Sequence, residues 1–300
     1  MSEQMKDTQK GYLYASVAVL IWTGFILVSR MGGISDLGPY DVIAIRYLTC
    51  TCLLLPVWWF RYRFNLLNVK LIVASMVGGL AYALCTFRGF QLSPASHAAV
   101  LLPGLMPLFI ILLSALINKK PQDKSKYLGV VIITLGVAAM FYQQFSATQN
   151  FSEGHLWLIA GAFCWSLFSV LISRWNITPW EATVSLAVIT CILYLPVYIA
   201  YLPKSISSEW WPDILLQVFY QGVLATIVQM IFYVKAVQSI GPASMGAMMA
   251  AVPVLSGVIA IFLFNELIST ELVAGLILVS IGAWLTHSKL FQAKLISTNA

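Results

Sequence analysis

A handful of polar side chains in this chain stand inside long apolar runs, where each is a candidate for handling a solute. Arg46, in AIRYLT, could hold a carboxylate through two parallel hydrogen bonds, or it could snorkel and place its charge at a membrane surface. His97, in PASHAAV, has the side chain whose unperturbed pKa suits proton-linked chemistry; the other reading is a satisfied structural histidine. Tyr82 and Gln229 could bind a solute or hydrogen-bond between helices. Trp22 and Trp165 could wall a substrate cavity through apolar or cation–π contact, or simply pack. Glu266 could move a proton, or cap the helix after it through the helix dipole.

Other chemistry has weaker support. Neither HExxH nor GxSxG occurs, and His97, His155 and His287 fall at different depths of the expected spans, so a membrane-embedded lipid-modifying enzyme is only an alternative of another class. Cys50 and Cys52 make a C-x-C pair, yet helical positions two apart do not share a face. All five cysteines lie in apolar runs and are expected to pack as small apolar residues. No catalytic residue, cofactor or metal is expected.

The elements that must position these groups follow from composition. Of 300 residues, 60% are hydrophobic and 9% charged, against about 25% charged in soluble domains. Such a chain belongs in a bilayer. A crossing takes about 20 apolar residues, and ten are expected, at 11–29, 41–60, 70–90, 95–117, 127–143, 155–173, 181–202, 213–234, 243–264 and 271–288. The first follows Lys6 and Lys10 without a small-x-small cleavage pattern, so a retained span is expected rather than a secretory signal.

Charge orients them. With the N-terminus in the cytoplasm, 13 of the 17 Lys and Arg fall inside and 3 outside, with Arg46 within a span. The net charge of +6 is thereby an orientation signal, N-in and C-in, and a nucleic-acid partner is not expected. The tryptophan pairs at Trp58–Trp59 and Trp210–Trp211 sit where interfacial aromatic belts belong.

The chain also repeats itself. PAS at Pro94 recurs at Pro242, Pro107 matches Pro253, and Gly129 and Gly136 match Gly275 and Gly282. Trp22 faces Trp165 in this register, GPYD at Gly38 faces TPWE at Thr178, and Tyr82 and Gln229 are equivalent, as are Gln91 and Gln238. Residues 1–146 and 147–300 are thus read as two five-span units. An odd span number makes the second copy enter from the opposite side, the inverted-repeat plan of secondary transporters, whose substrate site lies near the midplane. Pro103, Pro107 and Pro253 are expected to loosen helical hydrogen bonds and bend their spans, either lining a cavity or acting as packing kinks.

The two PAS…P spans, FNEL at Phe264, the closing G-x6-G helices and Arg46 together resemble the EamA-type ten-helix members of the drug/metabolite transporter superfamily. The resemblance covers nearly the whole chain. It implies a multi-pass permease of a bacterial inner membrane, an exporter of amino acids or related small amphipathic metabolites, with a central cavity built from both halves. A monomer in the lipid bilayer, with a small-molecule substrate as its partner, is implied to suffice. The same superfamily holds exchangers of sugar phosphates or nucleotide sugars, which stay the alternative, although a phosphate dianion calls for several mid-span cations. The chain departs from the family pattern at Lys120, which stands where Glu266 keeps the acid in the second half, and Arg46 faces Leu186.

Overall fold

The computed structural model describes residues 3–32, 37–93, 95–119, 124–148, 153–207, 209, 211–264 and 270–287. Its longer elements are all helices. Helix α1 is Glu3–Gly32, α2 Pro39–Tyr62, α3 Val69–Leu92, α4 Ala95–Asn118, α5 Lys124–Thr148, α6 Glu153–Arg174 and α7 Pro179–Tyr201. The consecutive stretches Trp211–Gln217, Val218–Val228 and Gln229–Met249 form α8, followed by α9 at Ala251–Phe264 and α10 at Thr270–His287.

Local chemistry explains the starts of the two corresponding helices. In α2 and α7 a proline occupies the first turn, where its missing N–H costs nothing, and an acid two residues later turns back on the chain. Asp41 Oδ2 accepts from Gly38 N at 3.2 Å, and Glu181 Oε2 accepts from Thr178 N at 2.8 Å. These are the GPYD and TPWE segments, doing the same job.

Seven helical stretches among the described residues are long and apolar enough to cross a membrane. That is three fewer than the ten expected: the stretch expected at 271–288 is not among the seven, and the other two differences have local reasons. The stretches expected at 213–234 and 243–264 run on as one from Trp211 to Ser256, and the apolar part of α5 is only Lys126–Ala139. The chain is thus an all-helical, multi-pass membrane protein. Its surface agrees, because Phe60, Leu116 and Ile192 are 81%, 73% and 65% exposed and find apolar surroundings only in lipid.

The break inside α8 lies at Gly241, with φ 81° and ψ 159°, conformations essentially confined to glycine. Pro103 and Pro107, expected to bend their span, are buried in an α4 that stays helical from Ala95 to Asn118. Pro253 is the third residue of α9, after a tight turn in which Ala250 N donates to Ala247 O at 3.2 Å. Proline tolerates a first helical turn, so at Pro253 the interruption precedes the residue.

Helix packing pairs α1 with α8, α6 with α3 and α4, α2 with α7, and α5 with α10. The last pair explains the G-x6-G segments. A Cβ on Gly136 would stand 2.9 Å from Gly275 O, and one on Gly282 would stand 2.6 Å from Gly129 O. Only glycine lets the two backbones approach so closely. The main core runs through α1, α3, α6 and α8, from Ala15 and Val19 to Tyr82, Trp165 and Tyr233.

Candidate substrate site

Two wide helical turns position the centre of the molecule. Met76–Ala81 of α3 and Val218–Val228 of α8 are π-helical, and they end directly before Tyr82 and Gln229. The two expected site residues thus occupy the same place in the same local distortion. A π turn misaligns carbonyls, and neighbouring hydroxyls take them up: Tyr47 Oη donates to Gly79 O at 3.1 Å, and Thr226 Oγ1 donates to Gln221 O at 2.6 Å.

Tyr82 faces the two tryptophans. Its ring centroid is 4.8 Å from that of Trp165 and 6.3 Å from that of Trp22, and the tryptophans are 5.3 Å apart. Tyr233 and Phe168 close on Trp165 at 5.2 and 5.3 Å. Gln229 precedes Tyr233 by four residues and so shares its helix face. All are buried.

The polar atoms of this cluster are unsatisfied. Tyr82 Oη, Thr86 Oγ1, Trp165 Nε1, Ser169 Oγ, Tyr233 Oη and both amide atoms of Gln229 are buried without a hydrogen-bond partner. Each such group costs about 1–3 kcal/mol when left unpaired. Tyr82 Oη lies close to Thr86, and Tyr233 Oη to Ser169 and Trp165, so those groups can pair with one another on small shifts, which leaves both atoms of the Gln229 amide as the unpaired group of the cluster.

Arg46 stands beside this cluster and does not snorkel. It is 3% exposed, with its guanidinium carbon 5.9 Å from the Phe25 ring and 5.7 Å from the Tyr47 ring. Its Nε and one terminal nitrogen have no hydrogen-bond partner. No carboxylate lies within ion-pair distance among the described residues. The acid nearest in sequence, Asp41, is engaged elsewhere: its oxygens accept from Tyr198 Oη at 2.5 Å, Ser205 N at 2.9 Å and Gly38 N.

A cavity of about 310 Å³ opens at the end of the bundle where α1 finishes and α2 begins. Ser29, Val42, Phe87, Phe90, Gln217 and Gln221 are among its lining residues, none of which is charged. Gln221 Nε2 donates to Ser29 Oγ at 3.3 Å, while its Oε1 and that of Gln217 have no partner. Phenylalanines form the boundary towards the aromatic cluster, since Phe25 contacts Phe90 at 6.2 Å and Trp22 at 5.7 Å.

The opposite end is tied shut. Gln238 Nε2 donates to Ile177 O at 2.8 Å, Tyr62 stacks on Trp180 at 4.9 Å, Arg174 donates to Ile117 O, and Lys235 lies 5.3 Å from the Tyr14 ring. Arg88, at the cavity end, donates to Gln91 Oε1 at 2.6 Å.

The structure therefore brings Trp22, Trp165, Tyr82, Gln229 and Arg46 into one region. The backbone of His97 lies in the first turn of α4, and its side chain is outside the described residues, as is Glu266. Sequence reasoning missed Phe25, Phe168, Thr86 and Tyr233. Their signal was present: Phe25 and Phe168 follow the matched tryptophans by three residues, and Thr86 and Tyr233 follow Tyr82 and Gln229 by four.

Apolar helices long enough to cross a bilayer, with buried polar groups beside a cavity, make this a membrane protein with room for a small solute. The EamA-like transporter family matches residues 9–142 and again 152–288, so the chain belongs to that family. Two uncharacterized transporters of Archaeoglobus fulgidus are similar to it. One is 22% identical over 94% of this chain and 99% of its own, the other 20% identical over 93% and 99%. A protein of known crystal structure, 20% identical, covers 96% of this chain and 99% of its own with a TM-score of 0.73, a likeness of fold.

Proposed function

We propose that the protein is a secondary transporter, an exporter of small amphipathic metabolites such as amino acids, working by alternating access from a bacterial inner membrane. One observation carries this reading: Trp22 and Trp165, which hold corresponding positions in the two parts of the sequence, meet at 5.3 Å, with Tyr82 packed on Trp165 and the buried Gln229 amide one helical turn from Tyr233 on the other side of Trp165. In this reading residues 1–146 and 147–300 are inverted five-helix repeats that supply ten crossings, N-in and C-in, and the cluster lies near the midplane. The 310 Å³ cavity then faces outward, and the contacts of Gln238 and Trp180 hold the cytoplasmic side closed. The single buried cation among the described residues suits a substrate with one negative charge better than a phosphate dianion.

The test is transport by the purified protein in liposomes, with a panel of amino acids, polyamines, nucleosides and phosphorylated sugars, in the presence and absence of a pH gradient. Uptake of amino acids, lost in Tyr82→Ala and Gln229→Ala, supports the reading. Exchange confined to phosphorylated sugars turns it to the anion exchanger, and no movement of any compound overturns it.

A further inference from the structure

We infer that Arg46 selects substrates carrying a free carboxylate, with the apolar part of the solute received by the aromatic cluster of Trp22, Tyr82 and Trp165. This rests on the transporter reading and specifies what that site accepts.

Among the described residues Arg46 is the one buried lysine or arginine. An unpaired charge within a membrane protein is expensive and points to a functional partner. Among the described residues Arg46 has no acid in ion-pair range, and it keeps two guanidinium nitrogens without acceptors, so no described residue supplies its natural complement. The flanking Phe25 and Tyr47 rings stabilise the cation through their faces but accept no hydrogen bond of carboxylate strength.

Position makes the missing partner a solute. Phe25 touches the guanidinium on one side, Trp22 on another and Phe90 of the cavity on a third. Arg46 therefore stands where the cavity meets the aromatic cluster, one helical turn from Val42 of the cavity wall. The cavity lining offers neutral amides and hydroxyls, which would pass an anion without holding it; Arg88 at its exposed end is engaged with Gln91, and the buried positive charge beyond is Arg46. A carboxylate placed there projects its substituent towards Trp22 and Tyr82, where ring faces suit an aromatic or aliphatic group and the Gln229 amide can serve a second polar group.

The experiment uses wild-type protein in liposomes loaded with L-phenylalanine, and compares competition by L-phenylalanine, 3-phenylpropionate and L-phenylalaninamide. The carboxylates should compete roughly ten- to a hundredfold better than the amide, the factor a charged hydrogen bond is worth. Arg46→Gln should abolish this preference and Arg46→Lys should retain part of it. Because the comparison among solutes needs no variant, misfolding of Arg46→Gln leaves it intact. Equal competition by the amide overturns the inference while leaving transport standing. Failure of all three to move or compete, while another compound of the wider panel is transported, overturns the inference and leaves transport standing; the transporter reading falls only if nothing in that panel moves.

Discussion

Trp22 and Trp165 meet at 5.3 Å with their ring planes 56° apart, although 143 residues separate them. They occupy matched places in α1 and α6, so the contact joins the two parts of the chain at its centre. Trp165 is the hub, touching Tyr82, Phe168 and Tyr233 as well.

Trp165→Ala should accordingly lower stability by about 3–5 kcal/mol through lost contact and a residual cavity. Trp22→Phe, which keeps an aromatic ring, should cost markedly less. Thermal unfolding midpoints in detergent measure both, and equal costs would show that Trp165 is not the hub.

Asp41 fastens α2 to the far end of α7 through Tyr198 Oη and to the following segment through Ser205 N. Removing one donor with Tyr198→Phe should cost about 1.5–3 kcal/mol, the range for a hydrogen bond to a charged group. Asp41→Ala should cost more, because it strands the hydroxyl and two backbone N–H groups together. Unfolding midpoints in that order check the arrangement.

Packing of α5 on α10 depends on bare backbone. Gly136→Leu or Gly282→Leu should destabilise by about 1–3 kcal/mol by forcing the helices apart, with little relief from rotamer change because a backbone carbonyl oxygen is among the obstructing atoms at each position. A serine at either position should be tolerated better. The readout is the unfolding midpoint of each variant.

Gly241→Ala should cost about 1–3 kcal/mol through backbone strain alone. No side-chain clash contributes, since nothing lies within 4 Å of the position a Cβ would take. The same change at a tightly packed glycine would add a steric cost, so comparing Gly241→Ala with Gly136→Ala separates conformational strain from crowding.

Much was legible in order along the chain. Apolar runs announced a membrane protein, and the matched segments set Trp22 beside Trp165 and Tyr82 beside Gln229 as equivalents; the repeated glycines were legible as a repeat, while their contact across α5 and α10 was not. Such features are written locally, in hydropathy and in recurring residue types. The π-helical turns were not legible, because hydrogen-bond register depends on what packs against a helix and leaves no composition mark. Arg46 shows the same limit: a cation two turns into a span can reach an interface or the interior, depending on how the helix is rotated. Its burial between Phe25 and Tyr47, and the union of Asp41 with Tyr198 across 157 residues, arose only when α1, α2 and α7 assembled. Sequence by itself determined which helices form and which residues correspond; tertiary packing decided which side chains face one another, since helix rotation and crossing are set by the partner surface.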